Sequence, residues 1–554
     1  MKKVHIFLFL FLSVNLTFSQ NFTEILGRPT NTSITMNILF DQQVDVFWEY
    51  GTTSGVYSNS TTTLVANANV PLETDFINLQ TDTKYYYRTR YRTNGSSSAF
   101  LAGTEHSFHT PRPAGSAFSF AIEADPHLDT NSNPAAYTLT LQNIFSKTPD
   151  FMLDLGDIFM SEKLPVPMQI QSEITNRHTL FRPYFNEVCH SVPLYLVIGN
   201  HEGELGWLLN GTANSMPVMA SNTRKLYYPN PYPNSFYTGD TTNQPFIGLR
   251  ENYYAYEWGN VLIVALDPFW YTLVKGDWGW TLGTTQYSWF KSVLETSQAK
   301  FKFVFCHNLL GGKGSDARGG AEYVDFFEMG GKNADSTWGF TAYRPNFQKT
   351  IHQLMVDNHV QIFFHGHDHL YDKQDKDGMV YQEVPQPSNR NITNTQAVNY
   401  GYLSGVIIPG RGYLLVSVTD SSAKVDYFKT FLPNEVTTGH SNGELAYSYT
   451  ITAPATNIAE INEASAKFSI EQNYPNPFKS ETTIKYKVST ANNIQLSVYD
   501  MFGREIKTLV NQYQAVGNYA ISLNASELSL KTGIYYYKIT LGNYSKSMKM
   551  ICIE

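Results

Sequence analysis

A series of short apolar runs marks the middle of the chain: FSFAIEA from Phe118, DFMLDLGD from Asp150, PLYLVIGN from Pro193, NVLIVALD from Asn260, FKFVFCH from Phe301 and VQIFFHG from Val360. Runs this short and this continuously apolar predict strands buried on both faces. Between several of them, residues 134–147, 285–298 and 345–358 carry helix-like spacing. Strands alternating with helices on this scale predict an α/β unit around a buried sheet. Ahead of it, residues 21–112 hold alternating segments such as VDVFWEYG and TKYYYRTRYR, separated by Gly, Ser, Asn and Thr, which predicts a β-sandwich anchored by Trp48. Between Trp207 and Trp258 no period emerges, and the Asn, Pro, Gly and Tyr there predict a long loop, kept ordered by its aromatics. TAPATNIAEINEASA, within residues 451–466, reads as a linker of small and polar residues. From Lys467 to Glu554 a further strand-rich unit follows, with the alternation of a small β-sandwich.

At 554 residues the chain exceeds what one core supports, which fits this multi-domain partition. Charged residues make up 16% and aromatics 14%, a balance that suits a strand-rich extracellular protein. A formal charge of −8 offers no basic footprint for nucleic acid, so no nucleic-acid partner is expected. MKKVHIFLFLFLSVNLTFSQ, residues 1–20, joins two lysines to an apolar stretch too short for a bilayer and ends on small residues, as a secretory signal peptide does. No cysteine follows it, which argues against a lipoprotein anchor, and no later segment suits a transmembrane span. Cys189, Cys306 and Cys552 are too few for a disulfide scaffold; a Cys189–Cys306 bridge is the one pairing to weigh.

The chemistry collects where the apolar runs end. Asp125 and His127 follow the first, Gly156 and Asp157 the second, Asn200 and His201 the third, His307 the run FKFVFC, and His367 and His369 the run VQIFF. Ligands of open α/β sheets bind beyond the carboxyl ends of the strands, so residues far apart in sequence meet there. In Asp125-Pro-His127 and His367-Asp-His369, alternate residues of extended backbone would point one way. Gly156 and Gly366 suit a backbone that must pass close to a ligand. Carboxylates mixed with imidazoles, and no converging thiolates, favour Zn, Fe or Mn over Ca or Mg.

Taken in order, D-x-H, G-D, G-N-H-E, H and G-H-x-H resemble the calcineurin-like metallophosphoesterases, over residues 113–450. The resemblance implies a four-layer αββα core and two divalent or trivalent transition-metal ions. Asp125, His127 and His369 would hold one, Asn200, His307 and His367 the other, with Asp157 bridging. It further implies in-line attack by a metal-bridging hydroxide on a phosphate-ester substrate, with Asp157 and His201 catalytic and His201 protonating the leaving oxygen. Residues 21–112, with the tyrosine-corner stretch from Leu79 to Tyr85, resemble a fibronectin type III domain and the N-terminal domain of purple acid phosphatases. Those enzymes carry a ligand Tyr three residues after the bridging Asp; here Met160 stands there, so His127 would replace it and the centre would be colourless. Residues 467–554, with KFSIEQNYPNPF and a strand-rich tail, resemble the C-terminal domain read by type IX secretion machinery, which implies export to the cell surface or beyond.

Several side chains have two readings. His365 either supports the site or fills a strand end, and Asp154 either orients a metal-bound His or satisfies a core hydrogen bond. Arg250, Arg318, Arg344 and Arg411 can clamp phosphate or be solvated. Trp207, Trp270, Tyr271 and Trp338 can line a pocket or pack in the core. For function, the monoester phosphatase leads. A phosphodiesterase or nucleotidase of the same fold is the enzymatic alternative, and a non-catalytic surface-binding protein is the alternative of another class.

Overall fold

The computed structural model describes residues 21–453, 468–500, 504–541 and 544–553. The expected signal peptide and most of the expected linker lie outside them. The chain divides into two units, one reaching Ala453 and one beginning at Pro454. Among the described residues no helix is long and apolar enough to cross a membrane.

Two sheets form the centre of the first unit. In one, the parallel strands Phe118–Glu123, Phe151–Asp154 and Leu194–Leu196 lie side by side, flanked by the antiparallel strands Gly412–Val418, Ser422–Lys429 and Leu445–Thr452. In the other, Val261–Ala265, Phe301–Phe305, Ile362–His365 and Met379–Glu383 run parallel. The period-two rule explains why the sheets stack. Phe118, Phe120 and Ile122 share one buried cluster with Phe301, Phe303, Phe305 and Phe364 of the opposite sheet. The intervening residues turn outward: Ala121 and Met152 pack with Tyr137, Phe181 and Phe185, on helices Pro134–Ser146 and Gln171–Cys189. Val304 and Phe363 pack with Phe290 and Leu354, on helices Gly283–Thr296 and Ile351–Asp357. Truncating a ring between the sheets, such as Phe120 to Ala, would cost about 3–5 kcal/mol.

An N-terminal core forms between strands of two sheets, with Trp48 fully buried and the Tyr85 hydroxyl receiving the Gln80 N–H at 2.9 Å. It does not stop at the expected boundary. Strand Phe22–Thr30 pairs in parallel with Leu194–Leu196 through Gly27 and Leu194, so one nine-stranded sheet crosses from sandwich to α/β core. A Cβ at Gly27 would lie 2.6 Å from Pro229 Cγ, and only glycine permits that approach. Buried Arg182 secures the join, donating to Thr23 Oγ1 at 2.9 Å and to Asn37 Oδ1 at 2.8 Å.

Other sequence expectations shift. The helix expected over 345–358 is Ile351–Asp357, started by Thr350, whose hydroxyl accepts the Gln353 N–H. The stretch expected as a loop contains the helix Met216–Tyr227, whose buried Ser221, Thr223 and Arg224 hide its period. The final strand before the linker runs through Thr452, paired with Ser422, two residues into the expected linker. Cys189, Cys306 and Cys552 are free thiols. The second unit has a three-stranded and a four-stranded antiparallel sheet around one core that includes Phe468, Ile484, Val498 and Tyr537.

Candidate metal centre

The parallel strands end on one side, and the loops beyond them carry Asp125, His127, Asp157, Asn200, His201, His307, His367 and His369. The backbone there is not extended, contrary to the sequence expectation. Asp125, His127, Asp157, His367 and His369 all have left-handed φ, between 51° and 81°. Each such residue costs on the order of 1–2 kcal/mol, and strain of this kind concentrates where function demands it. The alternation fails because the strands stop at Glu123 and His365, and the chain then turns sharply.

Hydrogen bonds hold these turns. Asp125 N donates to Gly156 O at 2.9 Å, His127 N to Asp157 O at 3.2 Å and Gly366 N to His307 O at 2.9 Å. Asp125 Oδ2 receives His367 N at 2.7 Å, which ties the first loop to the last. Gly156 and Gly366 are the close approaches expected. A Cβ on Gly366 would sit 2.6 Å from Asp125 Oδ2, and one on Gly156, at φ 99°, would sit 2.4 Å from Gly199 N.

Two clusters of ligand-type atoms result, Asp125 with His127 and His369, and Asp157 with His307 and His367. Asp125 Oδ1 lies 3.4 Å from His127 Nε2 and 3.5 Å from His369 Nε2. His307 Nε2 lies 3.2 Å from Asp157 Oδ2, 3.2 Å from His367 Nδ1 and 3.1 Å from Asn200 Oδ1. Asp157 Oδ2 is also 3.7 Å from His127 Nε2, so it faces both clusters. Ligands about 2.1 Å from one tetrahedral ion stand about 3.4 Å apart, the spacing seen here. Among the described residues, Asp125 Oδ1 and both nitrogens of His127 are buried without a hydrogen-bond partner. Orphaned buried polar atoms are costly, and a cation among them removes the cost. The donor set therefore fits metal ions.

Electrostatics point the same way. Burial alone would raise the Asp157 carboxyl, but His201, His307 and His127 outweigh it and hold it well below the usual range. Asp125 is likewise depressed against its burial by His127 and His369. Burial pushes His127 down, and His367 far down with help from His307 and Arg318. His307 resists its own burial and rises to about 10 because Asp157 and Asp125 face it.

His201 sits apart from both clusters. Its N–H reaches Asp157 Oδ1 at 2.7 Å, its Nδ1 lies 2.9 Å from Glu162 Oε2, and its Nε2 lies 3.7 Å from Asp157 Oδ2. A cavity of about 120 Å³ opens beside it, lined by His127, Asp157, Asn200, His367 and His369 with Trp280, Lys163, Lys275 and Arg318.

The remaining candidates divide. Arg318 alone of the four arginines lines this cavity. Arg250 is fully buried between Glu204 and Asp267, Arg344 binds Glu328 and the carbonyls of Trp278 and Trp280, and Arg411 binds Glu435 and Asn389 O. None of these three is a clamp, because each guanidinium is already committed. Trp270 lies 3.9 Å beneath Arg250, Trp207 packs on Trp280 and Phe269, and Trp338 is 61% exposed; Trp280 is the aromatic that lines the cavity. Asp154 orients no imidazole: it takes the Gly156 N–H at 2.8 Å and pairs in the sheet with Glu123, whose carboxyl burial raises to about 7. The imidazole of His307 is held instead by Leu155 O, 2.8 Å from Nδ1. His365 is no ligand; its Nδ1 lies 2.6 Å from Glu383 Oε2.

Sequence reasoning passed over Glu202. Its carboxylate receives Asp157 N at 3.0 Å and Ile158 N at 2.6 Å, fixing the turn that presents Asp157. Its place in GNHE was the available signal. Glu162 carried none.

Residues 118–371 match the calcineurin-like phosphoesterase family, and residues 472–554 match the secretion system C-terminal sorting domain. The chain thus carries a calcineurin-like phosphoesterase domain followed by a sorting domain. Among solved structures it is similar to purple acid phosphatase PPD1 from yellow lupin (Lupinus luteus) seeds, at 14% identity and a TM-score of 0.53, over 79% of this chain and 75% of that one. It is also similar to PhoD, at 14% identity and a TM-score of 0.56, over 78% of this chain and 90% of that one. At such identities the likeness is one of fold. No curated protein matches the chain.

Proposed function

We propose that this protein is an exported phosphoesterase that hydrolyses phosphate monoesters with two transition-metal ions, Fe, Zn or Mn. The observation that carries the reading is Asp157 Oδ2, which lies 3.7 Å from His127 Nε2 and 3.2 Å from His307 Nε2 and so serves both clusters. In this reading Asp125, His127 and His369 hold one ion, Asn200, His307 and His367 the other, and Asp157 both. Ions bound there would supply Lewis acidity, lowering the pKa of a shared water and neutralising charge on the phosphate oxygens.

The protein's own residues do the rest. Only Asp125 and Asp157 among the seven are anionic, so the loaded site keeps positive charge and draws phosphate despite the net −8 of the chain. His201 is fixed through its backbone by Asp157 and through Nδ1 by Glu162, and its Nε2, 3.3 Å from Asn200 Nδ2 and 3.7 Å from Asp157 Oδ2, would deliver a proton to the departing oxygen. The cavity of about 120 Å³, bordered by Lys163, Lys275 and Arg318, suits a phosphoryl group with a single organic arm, and this supports monoesters over diesters. Met160 in place of a ligand tyrosine supports a colourless centre. The expected signal peptide and the match to the sorting domain support delivery outside the cell, with the secretion machinery as partner.

The test is turnover by the purified full chain supplied with Mn, Zn or Fe. An aryl phosphate monoester should be hydrolysed faster than a bis-aryl phosphate. The reverse order indicates a phosphodiesterase, and hydrolysis of neither, with metals bound, indicates a binding protein.

A further inference from the structure

Of the three cationic side chains that line the cavity outside the ligand set, Lys163, Lys275 and Arg318, one is held in place by buried groups. Arg318 Nη1 donates to Asp368 Oδ1 at 2.7 Å and to His367 O at 3.2 Å, and its guanidinium lies 4.3 Å over the Tyr400 ring. Asp368 is 3% exposed and fully engaged on its other oxygen, which receives Gly319 N at 2.7 Å and the Tyr402 hydroxyl at 2.9 Å. Behind it stands Glu383, which receives Asp368 N at 3.0 Å on Oε1, with Oε2 3.2 Å from the Tyr402 hydroxyl and 2.6 Å from His365 Nδ1. A buried chain from His365 through Glu383, Tyr402 and Asp368 thus fixes one guanidinium at the cavity wall. This also accounts for His365, the first histidine of FFHGHDH. Lys163 and Lys275 lack such support, with carboxylates only at 3.6 and 3.7 Å and side chains 54% and 38% exposed.

Among the described residues Nη1 is the only nitrogen of Arg318 that donates to protein, which leaves Nε and Nη2 for a ligand. A planar guanidinium matches phosphate oxygens in pairs. A monoester has three non-bridging oxygens and up to two negative charges; a diester has two and one. We propose that Arg318 grips the non-bridging oxygen that a monoester has and a diester lacks, and so sets the preference for dianionic phosphate monoesters, with Asp368 as its positioning residue. The proposal rests on the phosphoesterase reading above, and phosphate binding separates the two.

The experiment compares wild type, Arg318→Ala, Arg318→Lys and Asp368→Asn at matched metal content. For Arg318→Ala, kcat/KM on an aryl phosphate monoester should fall about 10- to 100-fold, as for a lost charge-assisted bond, and on a bis-aryl phosphate less than about threefold. Lys should restore part of the monoester rate, and Asp368→Asn should lower the monoester-to-diester ratio in the same direction. Equal losses on both substrates, or none, overturn the assignment. Calorimetry with inorganic phosphate reads the clamp without turnover: weaker binding by Arg318→Ala supports it even if no ester is hydrolysed, and unchanged affinity overturns it.

Discussion

Asp157 receives the backbone N–H of His201 on Oδ1 at 2.7 Å, so the carboxylate that faces both ligand clusters also fixes the loop bearing the proposed acid. Asp157→Asn keeps the shape and removes the charge shared by both clusters. It should lower occupancy of both ions and cut turnover at least about a hundredfold. Elemental analysis beside kinetics checks this, and loss of one ion alone would assign Asp157 to a single cluster.

His201→Ala removes the imidazole but no proposed ligand. Metal content should stay at the wild-type level while kcat falls about 10²- to 10⁴-fold, most for esters with poor leaving groups. A leaving-group series reads the slope. Uniform loss across the series would speak against proton delivery by His201.

The left-handed turns and the glycines around them exist to bring loops into contact. Gly366→Ala would push a methyl to 2.6 Å from Asp125 Oδ2, the atom that receives His367 N. Metal affinity should fall about 10- to 100-fold, as for other losses of support around a ligand, with the fold retained by circular dichroism. Wild-type affinity in this variant would mean the two loops are free to separate.

The two clusters were legible because each candidate ligand follows an apolar strand, a pattern the eye finds in VQIFFHG or PLYLVIGN. What was not legible depends on contacts between distant segments. Nothing near Arg250 or Arg318 in sequence distinguishes a guanidinium locked between Glu204 and Asp267 from one that borders the cavity. The helix Gln171–Cys189 was hidden because its buried face includes His178 and Arg182. The sheet crossing from sandwich to core turns on one pairing, Gly27 with Leu194, which local alternation cannot reveal.

The buried cluster of Glu204, Arg224, Arg250 and Asp267 gives a pH dependence of its own. Burial would raise the Glu204 carboxyl, but Arg224 and Arg250 outweigh it and hold it at about 2, from an ordinary 4.5. A depressed folded-state value stabilises above the unfolded one, so this contribution is full above about pH 4.5 and disappears as pH falls toward 2. Thermal midpoints of wild type should drop across that window more steeply than those of Glu204→Gln. Equal slopes would remove Glu204 from the account. Arg250→Ala, which leaves buried Asp267 without its cation and buried Glu204 with Arg224 alone, should destabilise by about 3–5 kcal/mol in denaturant melts.

The most direct measurement is metal stoichiometry of the purified full chain by elemental analysis, before and after chelation and reloading. Two transition-metal ions per chain, both lost with phosphoesterase activity on chelation and both restored with it, is the predicted result. A chain that hydrolyses phosphate esters at full rate with one ion or none would contradict the account.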